Sequence, residues 1–350
     1  MGITISLIVL SLLVFFHELG HYSVAKFFGV HVEVFSIGFG KKLFTFRAFN
    51  TQWTIALIPL GGYVKMKGQN DLDPASISND DDSYNSKTPL QRIAILLAGP
   101  VANFILAFFL YLAIAFGSPQ VLAPVIGDVV KDSPAQTAGL QSKDKIISIN
   151  SKKIQTWEEM SKLITASKGV ITLQIERGAY IETLHVEPKM RESKNMYGET
   201  IHRKMVGISS AGELTRLNLS FFESFEYAYH ETYRASNLIF EGLQKLITGV
   251  VPVKELGGVV SIVKITSDAS ASGWMALFFF AALISVNLGI LNLLPIPALD
   301  GGHIMFNLYE LITKQIPSEA VLVKLTVAGW VVLLGLMSLG LYNDINRLMG

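Results

Sequence analysis

Four long uncharged stretches and one polar block, residues 117–273, predict a multi-span α-helical membrane protein. It has four transmembrane helices, a membrane-associated β-hairpin region and an inserted extracytoplasmic α/β domain. Composition agrees: half of the 350 residues are hydrophobic and only 16% are charged, with a mean hydropathy of +0.42. A soluble domain carries nearer 25% charged residues.

The first stretch has no charge from residue 3 to residue 16, then reads His17-Glu18-Leu19-Gly20-His21 and turns apolar again at Val24, Ala25, Phe27 and Phe28. A bilayer-spanning helix needs roughly 20 apolar residues. An ionisable group near the bilayer centre costs ~2.5 kcal/mol or more, so Glu and His in such a segment are functional candidates. Residues four apart share a helix face with Cβ atoms roughly 6 Å apart, so His17 and His21 can grip one ion. In the HExxH pattern the carboxylate after the first His acts as general base on water activated by zinc. The competing reading is a chance match, with both histidines satisfied by backbone or hydroxyl groups.

Zero cysteines exclude disulfides and thiolate ligands, which leaves His, Asp and Glu to hold a metal. A formal net charge of +1 argues against a nucleic-acid partner. Met1-Gly2-Ile3-Thr4 lacks the basic start of a signal peptide, so the first segment is expected to be retained.

The other spans are Ile93 to Phe116, Trp274 to Leu299 and Leu325 to Asn343. The second opens on a helix-start pattern, with Thr88 as N-cap, Pro89 at the first position and Gln91 at the third. It then carries Gly99-Pro100 and Asn103, groups that membrane helices turn toward other protein. Lys26 to Lys67 holds six Lys/Arg against one acid, Glu33, which puts this stretch in the cytoplasm. Residues 117–273 and both termini then lie outside.

Within residues 31–66, Val32, Val34, Phe44, Phe46, Trp53 and Ile55 alternate with polar neighbours, as strands do. Gly38-Phe39-Gly40-Lys41, Asn50-Thr51 and Gly61-Gly62 are the expected turns or breaks. Such a sheet can pack under the helices, or offer an edge to an extended peptide.

Val121 to Lys189 has a compact α/β pattern: Ser133-Pro134-Ala135, Ala138-Gly139-Leu140, a strand from Lys145 to Asn150, and a helix started by Thr156 with Glu159 as a capping box. Strands Val170 to Glu176 and Thr183 to Val186 follow. The pattern resembles a PDZ domain of envelope proteases, which implies a peptide or protein ligand. A second helix starts at Ser220 with Glu223 and stops near Gly249. With Phe222, Phe225, Tyr229, Ile239, Leu243 and Leu246 near one face, it either gates the membrane part or covers the α/β fold.

The third span ends in Asn292-Leu293-Leu294-Pro295-Ile296-Pro297-Ala298-Leu299-Asp300-Gly301-Gly302-His303. Interrupted backbone at membrane depth is tolerated where it lines a cavity. Asp300 is a candidate third ligand, His303 is its rival, and an ordinary membrane-exit turn is the bland reading.

Taken together, HELGH, GPVANF, the PDZ-like insert, Glu255-Leu256-Gly257-Gly258 and NLLPIPALDGGH resemble the bacterial site-2 proteases, the RIP metalloproteases of the sigma-E regulating type. The resemblance implies one Zn2+ held by His17, His21 and Asp300, with Glu18 as catalytic base. It further implies that Asn292 contacts substrate backbone and that the strands around Gly38, Phe39 and Gly40 present the substrate in extended form. Several members carry two PDZ domains, and this chain has room for one.

The expected domains are residues 1–116 with the HExxH helix, a PDZ-like domain at 117–190, an extracytoplasmic linker with an amphipathic helix at 191–273, and a C-terminal membrane part at 274–350. The expected function is an intramembrane zinc endopeptidase of the bacterial inner membrane, acting on transmembrane segments of anti-sigma factors or remnant signal peptides. Two other readings are an anchored zinc protease that cuts water-exposed loops and a metal transporter. A transporter needs polar groups spread across the membrane. Here they gather toward the cytoplasmic end of two spans.

Overall fold

A computed structural model describes residues 2–69, 78 and 80–349. Two compact units divide the chain, Met1–Ile114 with Phe225–Gly350 and Ala115–Ser224.

The larger unit opens with helix α1 (Gly2–Phe27), followed by strands β1 (Val32–Ala48) and β2 (Thr51–Met66) and helix α2 (Pro89–Phe116). Apolar residues almost throughout α1 and α2 leave no polar face, as a helix surrounded by hydrocarbon and protein requires. The helix-start reading at Thr88 is borne out: Thr88 N–H donates to Gln91 Oε1 at 3.0 Å, and Gln91 N–H donates to Thr88 Oγ1 at 3.4 Å. α1 and α2 meet through small residues. A Cβ added at Gly20 would stand 2.2 Å from the Ala98 carbonyl oxygen, so only glycine allows this approach.

β1 and β2 differ from the expected short strands. Each is long and bent, and the sheet they form has four positions across it. Val34 to Ile37 registers with Lys65 to Gly62 on one side and with Gln52 to Ile55 on the other, while Phe44 to Ala48 registers with Ile55 to Thr51. The chain reverses at Gly38-Phe39-Gly40-Lys41 as expected: Ile37 and Phe44 both register with Ile55, the partners rising up to Ile37 and falling from Phe44 on, and Gly38 and Gly40 take φ of +88° and +86°. A second turn falls at Phe49 and Asn50, both in the left-handed region. Among the described residues no strand is registered on the far side of Gly62 to Met66, so this segment is an edge.

An aromatic cluster fixes the sheet against α1. Phe35 stacks on Trp53 with ring centroids 4.5 Å apart, and both meet Tyr22; Phe15 meets Phe35 at 5.6 Å. Phe15, Glu18 and Tyr22 follow helical i, i+3, i+7 spacing, so the sheet lies on the face of α1 that carries Glu18. His17 and His21 lie about 100° round the helix, toward α2.

After the smaller unit the chain continues through helices α5 (Phe221–Ile247), α6 (Val259–Ala271), α7 (Trp274–Asn292), α8 (Asp300–Thr313) and α9 (Glu319–Met349). Ala107, Tyr111, Ile114, Ala228, Ala235, Ala282 and Val286 form a shared core of α2, α5 and α7. The Glu255-Leu256-Gly257-Gly258 block leads into α6, whose start is capped by Asp344 of α9. Gly258 and Ser261 N–H groups donate to the carboxylate at 3.0 and 3.1 Å, and the Ser261 hydroxyl donates as well.

Among the described residues, α1, α2, α7 and α9 are long and apolar enough to cross a membrane. Their free faces are apolar, for example Val101, Ile105 and Phe109 on α2 and Val327, Val331 and Leu334 on α9. The third span is shorter than expected. α7 ends at Asn292, because Pro295 and Pro297 cannot continue a helix, and the chain turns through Leu299 before α8 begins.

The smaller unit is an α/β fold. Its strands are β3 (Gln120–Leu122), β4 (Ile126–Val129), β5 (Lys145–Ile149), β6 (Lys152–Lys153), β7 (Ile171–Arg177), β8 (Tyr180–Val186), β9 (Lys189–Lys194), β10 (Thr200–Met205), β11 (Ile208–Ser210) and β12 (Leu214–Arg216). Two helices, α3 (Pro134–Thr137) and α4 (Trp157–Ala166), sit in the first half of this run. One sheet has the order β6-β5-β7-β8. β11 pairs with β4 and β12 with β3, so part of the stretch expected as linker supplies strands here. The capping boxes at Thr156 and Ser220 are both formed. Ile146, Met160, Ile171, Leu173 and Ile175 are fully buried in its core. Beside the core, Arg177 grips the buried Asp144 through two bonds of 2.7 Å.

Candidate metal centre

His17 and His21 are buried on α1 and meet Asp300, the first residue of α8, at one point. The two Nε2 atoms are 3.2 Å apart, and Asp300 Oδ2 stands 3.3 Å from the first and 3.4 Å from the second. Ligands about 2.0–2.1 Å from a tetrahedral zinc are separated by about 3.3–3.4 Å. The triangle has the dimensions of one face of such a tetrahedron. Asp300 Oδ2 is buried without a hydrogen-bond partner, and an acceptor in that position is satisfied by a cation. The donor set therefore fits a zinc ion.

α2 forms the wall behind the histidines. A Cβ at Gly99 would lie 2.2 Å from His21 Nε2 and 2.8 Å from His17 Cε1, so the helix backbone packs directly against both rings. The other ring nitrogens also face α2. His21 Nδ1 is 2.8 Å from the Ile95 carbonyl oxygen, and His17 Nδ1 is 3.1 Å from Asn103 Nδ2.

Asp300 is brought up by the loop after α7. Gly301 and Gly302 form the first turn of α8. A Cβ on Gly301 would be 2.3 Å from the Leu294 carbonyl oxygen, and one on Gly302 would be 2.3 Å from that of Ile296. Only glycines let α8 start this close to the loop. The helix N-terminus also favours the Asp300 carboxylate.

A cavity of about 190 Å3 opens at the three ligand atoms. Glu18, Asn292 and His303 line it, together with Gly62, Tyr63, Val64 and Met66 from the sheet edge. His303, the rival ligand, is in the wall and outside the His17, His21, Asp300 cluster. Asn292 Nδ2 is 3.5 Å from His17 Nε2. Gly38, Phe39 and Gly40 are not part of the lining; Phe39 reaches it at second hand, stacked on Tyr63 with centroids 6.2 Å apart. Gly62 brings the edge beside Glu18, because a Cβ there would stand 3.3 Å from Glu18 Cγ and 2.7 Å from the Ser36 carbonyl oxygen. Gly61-Gly62 is thus a break that also lets backbone meet Glu18, for which the sequence carries no signal. For Gly99 and Asn103 the signal is the GP dipeptide and the amide in an otherwise apolar helix.

The profile of Peptidase family M50 matches residues 5–336. A protein of Campylobacter jejuni named "Putative zinc metalloprotease Cj1068" is 45% identical over 345 residues, covering 99% of this chain and 93% of that one. One of Helicobacter pylori with the same general name is 41% identical over 99% of both chains. Another, RC0203 of Rickettsia conorii, is 35% identical over 98% of both.

Proposed function

The chain belongs to Peptidase family M50, the site-2 protease family of zinc metalloproteases, and from that premise we propose an intramembrane endopeptidase that cuts transmembrane segments. One observation carries the reading. Three ligand atoms converge at zinc spacing near Glu18, two of them on α1, a helix long and apolar enough to cross a bilayer, and the third at the start of α8.

His17, His21 and Asp300 hold a single Zn2+, which when bound supplies an activated water and Lewis-acid polarisation of a carbonyl. Glu18 takes the proton of the attacking water and returns it to the leaving amine. Its place beside Gly62 in the wall of the cavity that holds the ligand atoms supports that role. Asn292, at the end of α7, binds the substrate backbone with its amide. The Gly62 to Met66 edge receives the substrate as an added strand. Gly38, Phe39 and Gly40 shape that edge, since Phe39 supports Tyr63 from behind.

A peptide bond inside an intact helix is not open to attack, and in lipid each unpaired N–H or C=O costs about 2–7 kcal/mol. An edge that offers backbone partners offsets part of that cost. The lysine-rich stretch after α1 supports a metal site on the cytoplasmic side of the bacterial inner membrane, with residues 117–273 outside. The smaller unit, read as a PDZ-like domain with a peptide or protein ligand, then governs which substrates reach the cleft. Trimmed anti-sigma factors and remnant signal peptides are the proposed substrates, as regulated intramembrane proteolysis requires.

The test is a reconstituted assay comparing a substrate span rich in Leu with one containing Gly or Pro near the scissile bond. Faster cleavage of the second, mapped within the span, is expected. Cuts confined to water-exposed loops would replace this reading with an anchored loop-cutting protease.

A further inference from the structure

A zinc ligand that uses Nε2 must carry its remaining ring proton on Nδ1, and that proton needs an acceptor when it is buried. His21 meets the requirement through the Ile95 carbonyl oxygen, which can only accept. His17 faces a side chain that can do either: Asn103 is fully buried, its Nδ2 is 3.1 Å from His17 Nδ1, and its Oδ1 has no hydrogen-bond partner.

With Nδ2 toward the ring, Asn103 donates to Nδ1, the ring proton sits on Nε2, and the lone pair aimed at Asp300 and His21 is lost. The two ends of a carboxamide are nearly the same size, so a half-turn about Cβ–Cγ exchanges them within the same space. The exchanged amide presents Oδ1 to Nδ1–H and frees the Nε2 lone pair. Resting on the metal site proposed above, we propose that Asn103 is a positioning residue for His17. Its side-chain carbonyl accepts the Nδ1–H bond and selects the tautomer that can bind metal.

Two features hold Asn103 to this task. It lies one helical turn beyond Gly99, whose backbone touches both rings. Its own carbonyl oxygen accepts a 2.8 Å bond from the buried Ser285 hydroxyl of α7, which pins α2 at this level. Both histidines are thus oriented from one helix, one by a main-chain acceptor and one by a side chain.

The experiment measures zinc affinity of the full-length protein in detergent by chelator competition, for wild type, Asn103→Leu and Asn103→Asp, with the melting temperature of each zinc-free protein. Asn103→Leu, similar in shape and unable to hydrogen-bond, should bind zinc about 10–100-fold more weakly. Asn103→Asp, which can only accept, should stay within about threefold of wild type or exceed it. Unchanged affinity in Asn103→Leu, or equal losses in both variants, would overturn the assignment. Nitrogen-15 spectra of the histidine-labelled, zinc-loaded wild type give a readout free of folding defects: His17 should show a protonated Nδ1, and an unprotonated Nδ1 would overturn it. Failure of the underlying metal site would look different, because His17→Ala would then keep the zinc affinity of wild type.

Discussion

Arg92 Nη2 donates to both carboxylate oxygens of Glu310 at 2.7 Å, joining the start of α2 to α8 across 218 residues of sequence. Both side chains are largely buried. α2 carries the wall behind the histidines and α8 begins with Asp300, so the pair couples the two halves of the proposed metal site. Removing one partner of a buried pair leaves a stranded charge that costs about 3 kcal/mol. Arg92→Met is expected to lower both stability and zinc affinity, and Glu310→Gln in the same protein should recover part of the loss. Melting and zinc titration of the two single variants and the double variant check the coupling; strictly additive losses would show there is none.

The division of labour at the centre predicts distinct losses. Glu18→Gln should abolish hydrolysis and keep zinc, because the amide cannot take a proton. His17→Ala and Asp300→Ala should lose zinc and activity together, while His303→Ala should keep its metal. Metal content measured on folded protein separates these, and zinc loss in Glu18→Gln would make that carboxylate a ligand.

Gly99→Ala adds one methyl group where the nearest ring atom would be 2.2 Å away. Either the histidines turn or α2 retreats, and both spread the ligand triangle. We expect zinc affinity to fall at least tenfold, a change of about 1.4 kcal/mol, with the helical circular dichroism unchanged. Wild-type affinity in this variant would show that the wall is free to yield.

The end of β2 is held by Lys67, which bridges Asp80 at 2.8 Å and Asp82 at 2.7 Å. Hydrogen bonds from Lys67 hold both carboxyl groups below their ordinary range, and those same bonds push the Lys67 ammonium above its own. Because the folded carboxylate values are depressed, their contribution is complete above about pH 4 and fades as pH falls through the lower folded values. The lysine contribution is complete below about pH 10 and fades as pH rises through the raised value. Amides of Lys67 and Tyr84, which bond to the His31 and Lys67 carbonyls, should lose exchange protection at acid pH after correction for intrinsic rates. Lys67→Met should show low protection at every pH, and high salt should mimic it.

In the smaller unit, Asp144→Ala removes the two bonds to Arg177, which keeps Glu182 and the Gly139 carbonyl oxygen, and should destabilise that unit by about 1–3 kcal/mol. Limited proteolysis should then cut within residues 115–224, while zinc content stays as in wild type. Loss of zinc would end the separation of chemistry from substrate access.

Much of this was legible in the sequence because its signals are local. His17 and His21 share a helix face by spacing alone, and Thr88, Thr156 and Ser220 announce their helices through the residue three positions on. The prolines at 295 and 297 mark the end of α7, but that Asp300 opens a new helix depends on Gly301 and Gly302 packing against the Leu294 and Ile296 carbonyls, which no periodic pattern shows. Gly38 and Gly40 mark a reversal by composition and left-handed φ alone, whereas the pairing of Val34 to Ile37 on both sides joins segments far apart in sequence and leaves no local signal. Nothing periodic marks Gly62 or Gly99 as the points where backbone meets Glu18 and the imidazoles.

The unequal helices give the bilayer itself a part in the chemistry. α7, with 19 residues, is about 28 Å long, whereas α9, with 31, is about 46 Å. Against a hydrocarbon layer of about 30 Å the long helix has length to tilt or protrude, whereas the short one only just spans it. On the intramembrane reading proposed above, the depth of Asn292 and of the loop to Asp300 would follow lipid thickness. Thicker membranes would draw the cleft toward hydrocarbon and starve it of water, while thinner ones would hydrate it and loosen its hold on an apolar substrate. Turnover in vesicles of graded acyl length should pass through a maximum, and a flat profile would mean that the protein carries its own hydration with it.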